Sequence, residues 1–281
     1  MTARQRIVAG TTATLSWQAV DQDGEPSDPG TTTVGVTRAD GSTVLAAGTA
    51  TTVAGTVRTV IIPAQDIDQL TVTWTGATAS ETATVDVVGG VYFTVAQLRT
   101  AQPAVVSTAD YTTATILAAR HTVETVFEQR TNTAFVPRFA ALVTTRQAKI
   151  ARTGVRSVRW VQTVDGLLVT DPGEIANLTE ITQAGVTCSE SVDRAGVVFG
   201  FDHPPADIAS AAMLYARHLL TAAQASGIDM RTMPTTSTDG QIVGYPTPGR
   251  PRFITGIDEI DETLRAYMAH PPVRSVRVSL T

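Results

Sequence analysis

Cysteine is nearly absent from this 281-residue chain; Cys188 stands alone. A lone cysteine excludes an internal disulfide framework, a Cys-based zinc site and a CxxC redox centre. Lying near Val186 and Val192, it reads as a small buried hydrophobe. Aromatic residues make up only 5%, so the cores must be built from Ala, Val, Ile and Leu. Lysine is represented by Lys149 alone, beside twenty arginines, which with abundant Ala, Thr and Val suggests a GC-rich genome. The formal net charge of −5 argues against nucleic-acid binding by bulk charge. No stretch approaches the ~18 consecutive apolar residues of a membrane-spanning helix. Residues Met1 to Gly10 lack the apolar run of a signal peptide, so the chain is expected to act on the cytoplasmic side of the producing cell.

Hydrophobic residues account for 43%, which supports packed cores and argues against long disorder. The length suits one large domain or two ordinary ones. Composition shifts near residue 91. Before it, Thr12 to Trp17, Thr33 to Thr37, Val57 to Ile62, Leu70 to Trp74 and Glu81 to Val87 alternate between apolar and polar. A period of two puts one face inward and the other in water, as in half-buried antiparallel strands. Asp23-Gly24, Pro29-Gly30, Asp40-Gly41 and Gly89-Gly90 supply the turns. The spacing predicts a β-sandwich over residues 1–90, with Trp17 and Trp74 facing its core from opposite sheets. Without a cysteine pair to bridge the sheets, it would be an immunoglobulin-like sandwich lacking the disulfide.

After residue 91 the period becomes helical, and residues 91–281 read as an α+β domain. Thr94 can cap a short helix through Leu98 that stops at Pro103, and Asp110 can cap a longer one. The longer helix carries Ile116, Ala119, Val123, Val126 and Phe127 on one stripe. Pro204-Pro205 open a third helix with Ile208, Ala212, Tyr215, Leu219 and Ala222 as its stripe and Gly227 at its exit. A last helix runs from about Asp258 to Met268, ended by Pro271-Pro272. Between the second and third helices lies a β-rich insert, about residues 138–202, with strands near 139–144, 155–161, 167–170 and 196–201 and a hairpin signal at Asp165-Gly166. Residues 231–256 lack periodicity and read as an extended arm.

Chemistry-bearing motifs are missing. His121 and His218 sit at helical positions without an HxxxH or HExxH partner, and His203 beside Asp202 is no triad. There is no GxSxG elbow, P-loop or dinucleotide fingerprint. Asp21-Gln22-Asp23-Gly24 places its glycine too early for a calcium loop and reads as a polar turn. Asp66 and Asp68 flank a turn, and Asp258, Glu259, Asp261 and Glu262 complement the dipole at the start of the last helix. No catalytic residue, metal site or cofactor is therefore expected. One charge pattern stands out: residues 129–164 hold Arg130, Arg138, Arg146, Lys149, Arg152, Arg156 and Arg159 and no acidic residue. With only Trp160 close by, base stacking on a single strand is disfavoured.

Four segments carry a resemblance. They are Thr94-Val95-Ala96-Gln97-Leu98-Arg99; the helix within Ala114 to Arg138 that ends in an aromatic and Pro-Arg; Val197 to Ala223, with strand, His-Pro-Pro and Ala-rich helix; and Phe253 to Tyr267 (FITGIDEIDETLRAY). In this order and spacing, from Tyr92 onward, the chain resembles the head-to-tail adaptor (connector) family of long-tailed bacteriophages. Ile260 stands where the family usually has valine. The sandwich at 1–90 is not part of the minimal pattern and looks like a fused decoration.

The resemblance implies a structural virion protein, made in the host cytoplasm and placed at the virion neck. Family members form a ring, commonly twelve-fold, between the portal protein and a stopper or tail-terminator protein, with DNA passing through the lumen and no membrane involved. A ring needs one patch to meet a different patch on the neighbour until it closes. On this reading the arm, with four prolines and the anchors Tyr245, Arg250, Arg252 and Phe253, packs on portal or a neighbouring copy. The tail, through Val273, Val276 and Val278, adds to a sheet edge of an adjacent protein. If residues 138–159 form a hairpin, Arg146, Lys149, Arg152, Arg156 and Arg159 face an acidic partner in preference to lumen DNA, because a sliding duplex must not be held tightly. The competing reading is a carbohydrate-active enzyme or carbohydrate-binding surface module. It requires paired carboxylates across a cleft and exposed aromatics, and the scarcity of aromatics weighs against it.

Overall fold

The computed structural model describes residues 5–144, 149–150, 154–182, 185–224, 237–238, 241–242 and 255–268. Among the described residues more lie in β-strands than in helices. The chain divides into two compact units, Met1–Val91 with Val136–His203, and Tyr92–Phe135 with Pro204–Thr281. The boundary at 91 coincides with the shift in composition. Sequence patterning grouped the β insert with the helices that flank it; by contacts, residues 136–203 belong with the N-terminal strands. Adjacency along the chain carried the first grouping, whereas contacts across the fold carry the second.

In the first unit, strands β1 (Gln5–Val8), β2 (Ala13–Gln18), β3 (Thr33–Arg38), β4 (Thr43–Ala50), β5 (Thr52–Ala54), β6 (Val57–Ile62), β7 (Asp68–Thr75) and β8 (Ser80–Val88) form two sheets. One has the order β1-β8-β7-β3-β4 and the other β2-β6-β5. Alternation works as expected: Leu15 and Trp17 face Val34, Val36, Leu70, Val72, Trp74 and Val85 in one shared core. Trp17 and Trp74 stack across the sheets with centroids 5.9 Å apart, and the Trp17 indole N–H donates to Glu81 at 2.7 Å. Strand β1, which the sequence does not announce by alternation, pairs in parallel with β8. Arg58 occupies an inward position of β6 and is buried. It is tolerated there because its guanidinium reaches the Gly30 and Gly55 carbonyls and the Asp28 carboxylate.

The insert contributes β9 (Arg138–Val143), β10 (Lys149–Ile150), β11 (Val155–Thr163), β12 (Leu168–Val169), α3 (Pro172–Leu178), β13 (Thr179–Thr182), β14 (Gly185–Cys188) and β15 (Val192–Phe199). A four-stranded sheet runs β12-β11-β15-β9, and a smaller one runs β10-β14-β13. Residues 138–159 are therefore not a hairpin: β15 lies between β9 and β11, and β10 pairs with β14 in the other sheet. The Asp165-Gly166 hairpin does form, with Gly166 at φ +84° and its N–H donating to the Thr163 carbonyl. Helix α3, capped by Asp171 at Gly173 and Glu174, has no counterpart in the sequence reading. At the sheet centre Gly196 lets Trp160 lie flat across the strand. A Cβ there would sit 2.4 Å from the indole nitrogen and 2.9 Å from Phe139.

The second unit holds α1 (Val95–Ala101), α2 (Thr113–Thr131), α4 (Ala206–Gln224) and α5 (Asp258–Tyr267). Thr94 and Gln97 form the capping box of α1. Thr112, not Asp110, caps α2 by accepting from the Thr115 N–H; both side chains can cap, and the chain enters the helix two residues later. Ile116, Ala119, Val123 and Phe127 are buried as the stripe requires, with Val126 at its margin. On α4 the buried line is Ile208, Ala212, Ala216 and Leu220, leaving Tyr215 and Leu219 half-buried at its edge. Among the described residues no helix is long and apolar enough to cross a membrane.

Candidate functional site

Two features of the second unit lie in the segments that carry the sequence resemblance. The first is a string of aromatic contacts. Phe127 of α2 stacks on Tyr215 of α4 at 6.1 Å, Tyr92 meets Phe127 at 6.3 Å and Phe135 at 5.8 Å, and Phe135 meets Tyr267 of α5 edge-on at 5.3 Å. In a chain with few aromatics, five converge here. The polar ends are tied off: Tyr92 donates to Glu128, and Tyr267 donates to Asp207 at 2.9 Å. Desolvation, with Asp207 alongside, pushes the Tyr267 phenol above its ordinary value.

The second is a pair of buried carboxylates. Glu124, buried on α2, accepts from the Tyr92 backbone N–H at 3.1 Å and lies 3.9 Å from the Arg120 guanidinium. Arg120 also donates to the Phe93 carbonyl at 3.2 Å, and burial lowers its pKa against the opposing effect of Glu124. Together they clamp the segment entering α1. Asp261, fully buried, accepts from both the N–H and the hydroxyl of Thr255, at 2.7 and 2.8 Å. The Thr-Gly and Asp-bearing turn is thus a structural lock on the start of α5. Sequence reasoning assigned Asp261 to the helix dipole; its burial one position from Ile260 is the signal that was missed.

The basic stretch is dispersed. Arg156 pairs with Asp202, whose carboxyl is held below its ordinary value by the hydrogen bond and charge of that guanidinium. Arg159 lies 3.6 Å from Asp66. Both cations therefore meet carboxylates of their own chain. Lys149 is placed by its backbone on β10, paired with Thr187. Arg146 and Arg152 lie outside the described residues, as do Tyr245, Arg250, Arg252 and Phe253 of the arm, Val273, Val276 and Val278 of the tail, Gly227 and Pro271-Pro272. Within the arm, Ser237–Thr238 and Gln241–Ile242 pair as a two-stranded hairpin.

Other candidates resolve into structure. The Asp21 carboxylate accepts from the N–H groups of Asp23 and Glu25, closing a polar turn. Cys188 is buried, and burial raises its thiol pKa. His203 and His218 are exposed and His121 is half-buried. Among the described residues no three His, Cys, Asp or Glu side chains are grouped to hold a metal ion. The cavity beneath Trp17 and Trp74, about 80 Å³, falls short of the few hundred Å³ usual for small-molecule sites.

No protein-family model matches the chain, and no curated protein matches it. Among solved structures, it is similar to domains 5–6 of the S-layer protein SbsC at 16% identity, over 73% of this chain and 83% of that one, with a TM-score of 0.22. It is also similar to a chimeric titin Z1Z2-Z1Z2 tandem carrying a fibronectin-derived GRGDS peptide, at 11% identity over 70% and 81%, with a TM-score of 0.23. Domains 4–9 of SbsC match at 15% identity over 71% of this chain and 26% of that one, with a TM-score of 0.22. At these scores the likenesses assign neither a fold nor a function.

Proposed function

We propose that this chain is a structural protein of a bacteriophage neck, forming a ring that joins the capsid portal to the tail-completion proteins and lets DNA pass. The observation that carries this reading is the meeting of distant segments in one helical unit. Those around Phe127, Tyr215 and Tyr267, three of the four that carry the adaptor resemblance, connect through the aromatic string, and the Thr255–Asp261 lock lies in the last of them. The N-terminal strands serve as a fused immunoglobulin-type decoration. Their order, β8-β7-β3-β4 facing β2-β6-β5, corresponds to the G-F-C-C′ and B-E-D sheets of that sandwich. With Arg156 and Arg159 paired to carboxylates in the same chain, they offer a passing duplex little bare charge.

The test is co-sedimentation of the purified protein with portal rings from the producing phage, followed by electron microscopy. A closed ring of this protein on one face of portal is the expected result. Deleting Thr235 to Pro248 should leave α2, α4 and α5 folded and abolish that attachment. A protein that never associates with portal and is missing from purified virions overturns the reading.

A further inference from the structure

The four-stranded sheet of the insert is finished differently at its two ends. At one end Arg156 meets Asp202. At the other, the end of β9, the start of β15 and the β11–β12 turn are tied together. The Thr144 N–H donates to the Asp193 carbonyl and the Val164 N–H to the Ser191 carbonyl, both at 2.8 Å. One register row crosses this end: Val143, Arg194, Gln162, Leu168. Side chains of one row leave by the same face of a sheet. Val143 is 62% exposed and Leu168 39%, and at the turn Val164 and Leu167 are each 64% exposed. Exposed hydrophobes scattered singly need no explanation, but a group of four at one sheet end does.

Asp165, Glu190 and Asp193 border this group and are exposed. Among the described residues their carboxylates make no hydrogen bond or ion pair. Arg194 is exposed in the same row, but three carboxylates against one guanidinium leave the surface acidic, so it suits a segment that is apolar and basic at once. The chain carries one. Residues 269–281 contain Val273, Val276, Val278 and Leu280 with Arg274 and Arg277, and no acidic residue. In an extended chain Val276, Val278 and Leu280 fall on one side and Arg277 on the other.

We propose that this end of the insert sheet receives residues 273–280 of a second copy of the chain. Val276, Val278 and Leu280 cover Val143, Val164, Leu167 and Leu168, and Arg274, on the same side of the extended segment, faces Asp165, Glu190 and Asp193. Two different patches meet, so the contact is able to link copies head to tail around a ring. The inference draws on the neck-ring reading only for the presence of neighbouring copies.

Cysteine cross-linking of the full chain tests it, in a Cys188→Ala background. Leu167→Cys protein is mixed with Val276→Cys protein and oxidised with copper–phenanthroline. A disulfide-linked dimer is expected from this mixture and not from Val276→Cys mixed with Thr14→Cys, an exposed control site on β2. No dimer above the control, or, in a chain carrying both Leu167→Cys and Val276→Cys, a link that forms only within that chain, overturns the proposal. Asp165→Arg with Asp193→Arg should lower the dimer yield about threefold to tenfold at low salt and remove most of its salt dependence; an unchanged yield overturns the role given to the acidic rim. Portal rings that assemble without the cross-link sink this contact alone. A cross-link in a protein that never binds portal leaves the contact standing while the neck reading falls.

Discussion

Gly196→Ala is a small change with a large expected effect. The added Cβ would lie 2.4 Å from Trp160 Nε1, 2.5 Å from Cε2 and 2.9 Å from Phe139 Cε2, about 1 Å inside ordinary contact. Relief requires Trp160 to move, but its ring is held against Phe139 with centroids 6.4 Å apart and is buried. Overpacking of this kind costs about 1–3 kcal/mol, and the position in mid-strand puts the expectation at about 2 kcal/mol or more. The assay is urea unfolding followed by tryptophan fluorescence. All three tryptophans belong to the first unit, so fluorescence reports that unit while ellipticity at 222 nm is weighted to the helices. A second variant makes the cause specific. The Trp160 indole N–H is buried without an acceptor among the described residues, so Trp160→Phe removes no hydrogen bond and shortens the ring. Combined with Gly196→Ala, it should restore about 1 kcal/mol of the loss, a coupling that a double-mutant cycle isolates. Gly196→Ala protein within 0.5 kcal/mol of the parent, or loss identical with Phe and Trp at 160, would refute the reasoning.

Three further outcomes follow from buried or half-buried charges. Glu124→Ala removes the carboxylate that accepts from the Tyr92 N–H and lies beside a largely buried Arg120, and should lower helical-unit stability by about 2–4 kcal/mol in urea melts read at 222 nm; Glu124→Gln, which keeps an acceptor, should cost less. Asp261→Ala removes the acceptor of two Thr255 donors and should cost about 2–4 kcal/mol by the same readout, with Thr255→Val losing about 1 kcal/mol. The Asp68 carboxyl is raised by burial, against the Gln69 N–H and with some help from Asp40. The folded state thus holds that proton to higher pH than the unfolded chain. Stability should fall as pH rises from the ordinary carboxylate range through the raised value. Asp68→Asn should stabilise the protein at pH 7 in thermal melts and flatten the acid-side profile; a destabilised Asn variant at pH 7 would contradict the assignment.

The strands of the sandwich were legible because each presents one face to a core and one to water: Leu15-Ser16-Trp17 and Leu70 to Trp74 alternate in the sequence and in burial. The edge strand β4 was not, since an edge of Ala46, Ala47 and Gly48 buries too little to impose a pattern. Thr94 was legible as a helix cap and caps α1, with Gln97 completing a capping box that the sequence reading did not name. Insert topology was illegible for a different reason. Nothing in Phe139 to Val161 says that the partner of both strands is Val192–Phe199, more than thirty residues on; pairing is decided by tertiary apolar faces. At the candidate site, charge could be read and its pairing could not. The arginines of residues 129–164 formed a basic run along the chain, yet Arg156 and Arg159 find Asp202 and Asp66 across the fold. Asp261 was read as complementing the dipole of the last helix; packing instead buries it and turns its carboxylate to the Thr255 N–H and hydroxyl.

The helical unit is interrupted in sequence by residues 136–203, and this sets an order on its birth. Helix α2 leaves the ribosome with Ile116, Val123 and Phe127 ready to be buried, but the α4 and α5 surfaces that cover them come only after the whole insert. The first unit is complete once His203 has emerged. The roughly 65 residues needed to finish α5 then take on the order of 3–13 s at ordinary translation rates of about 5–20 residues per second. For that interval the nascent chain carries a finished β unit and an unfinished helical one with the apolar stripe of α2 uncovered. It is during synthesis, well before any assembly, that this protein is most exposed to chaperones and to mispairing between neighbouring nascent copies.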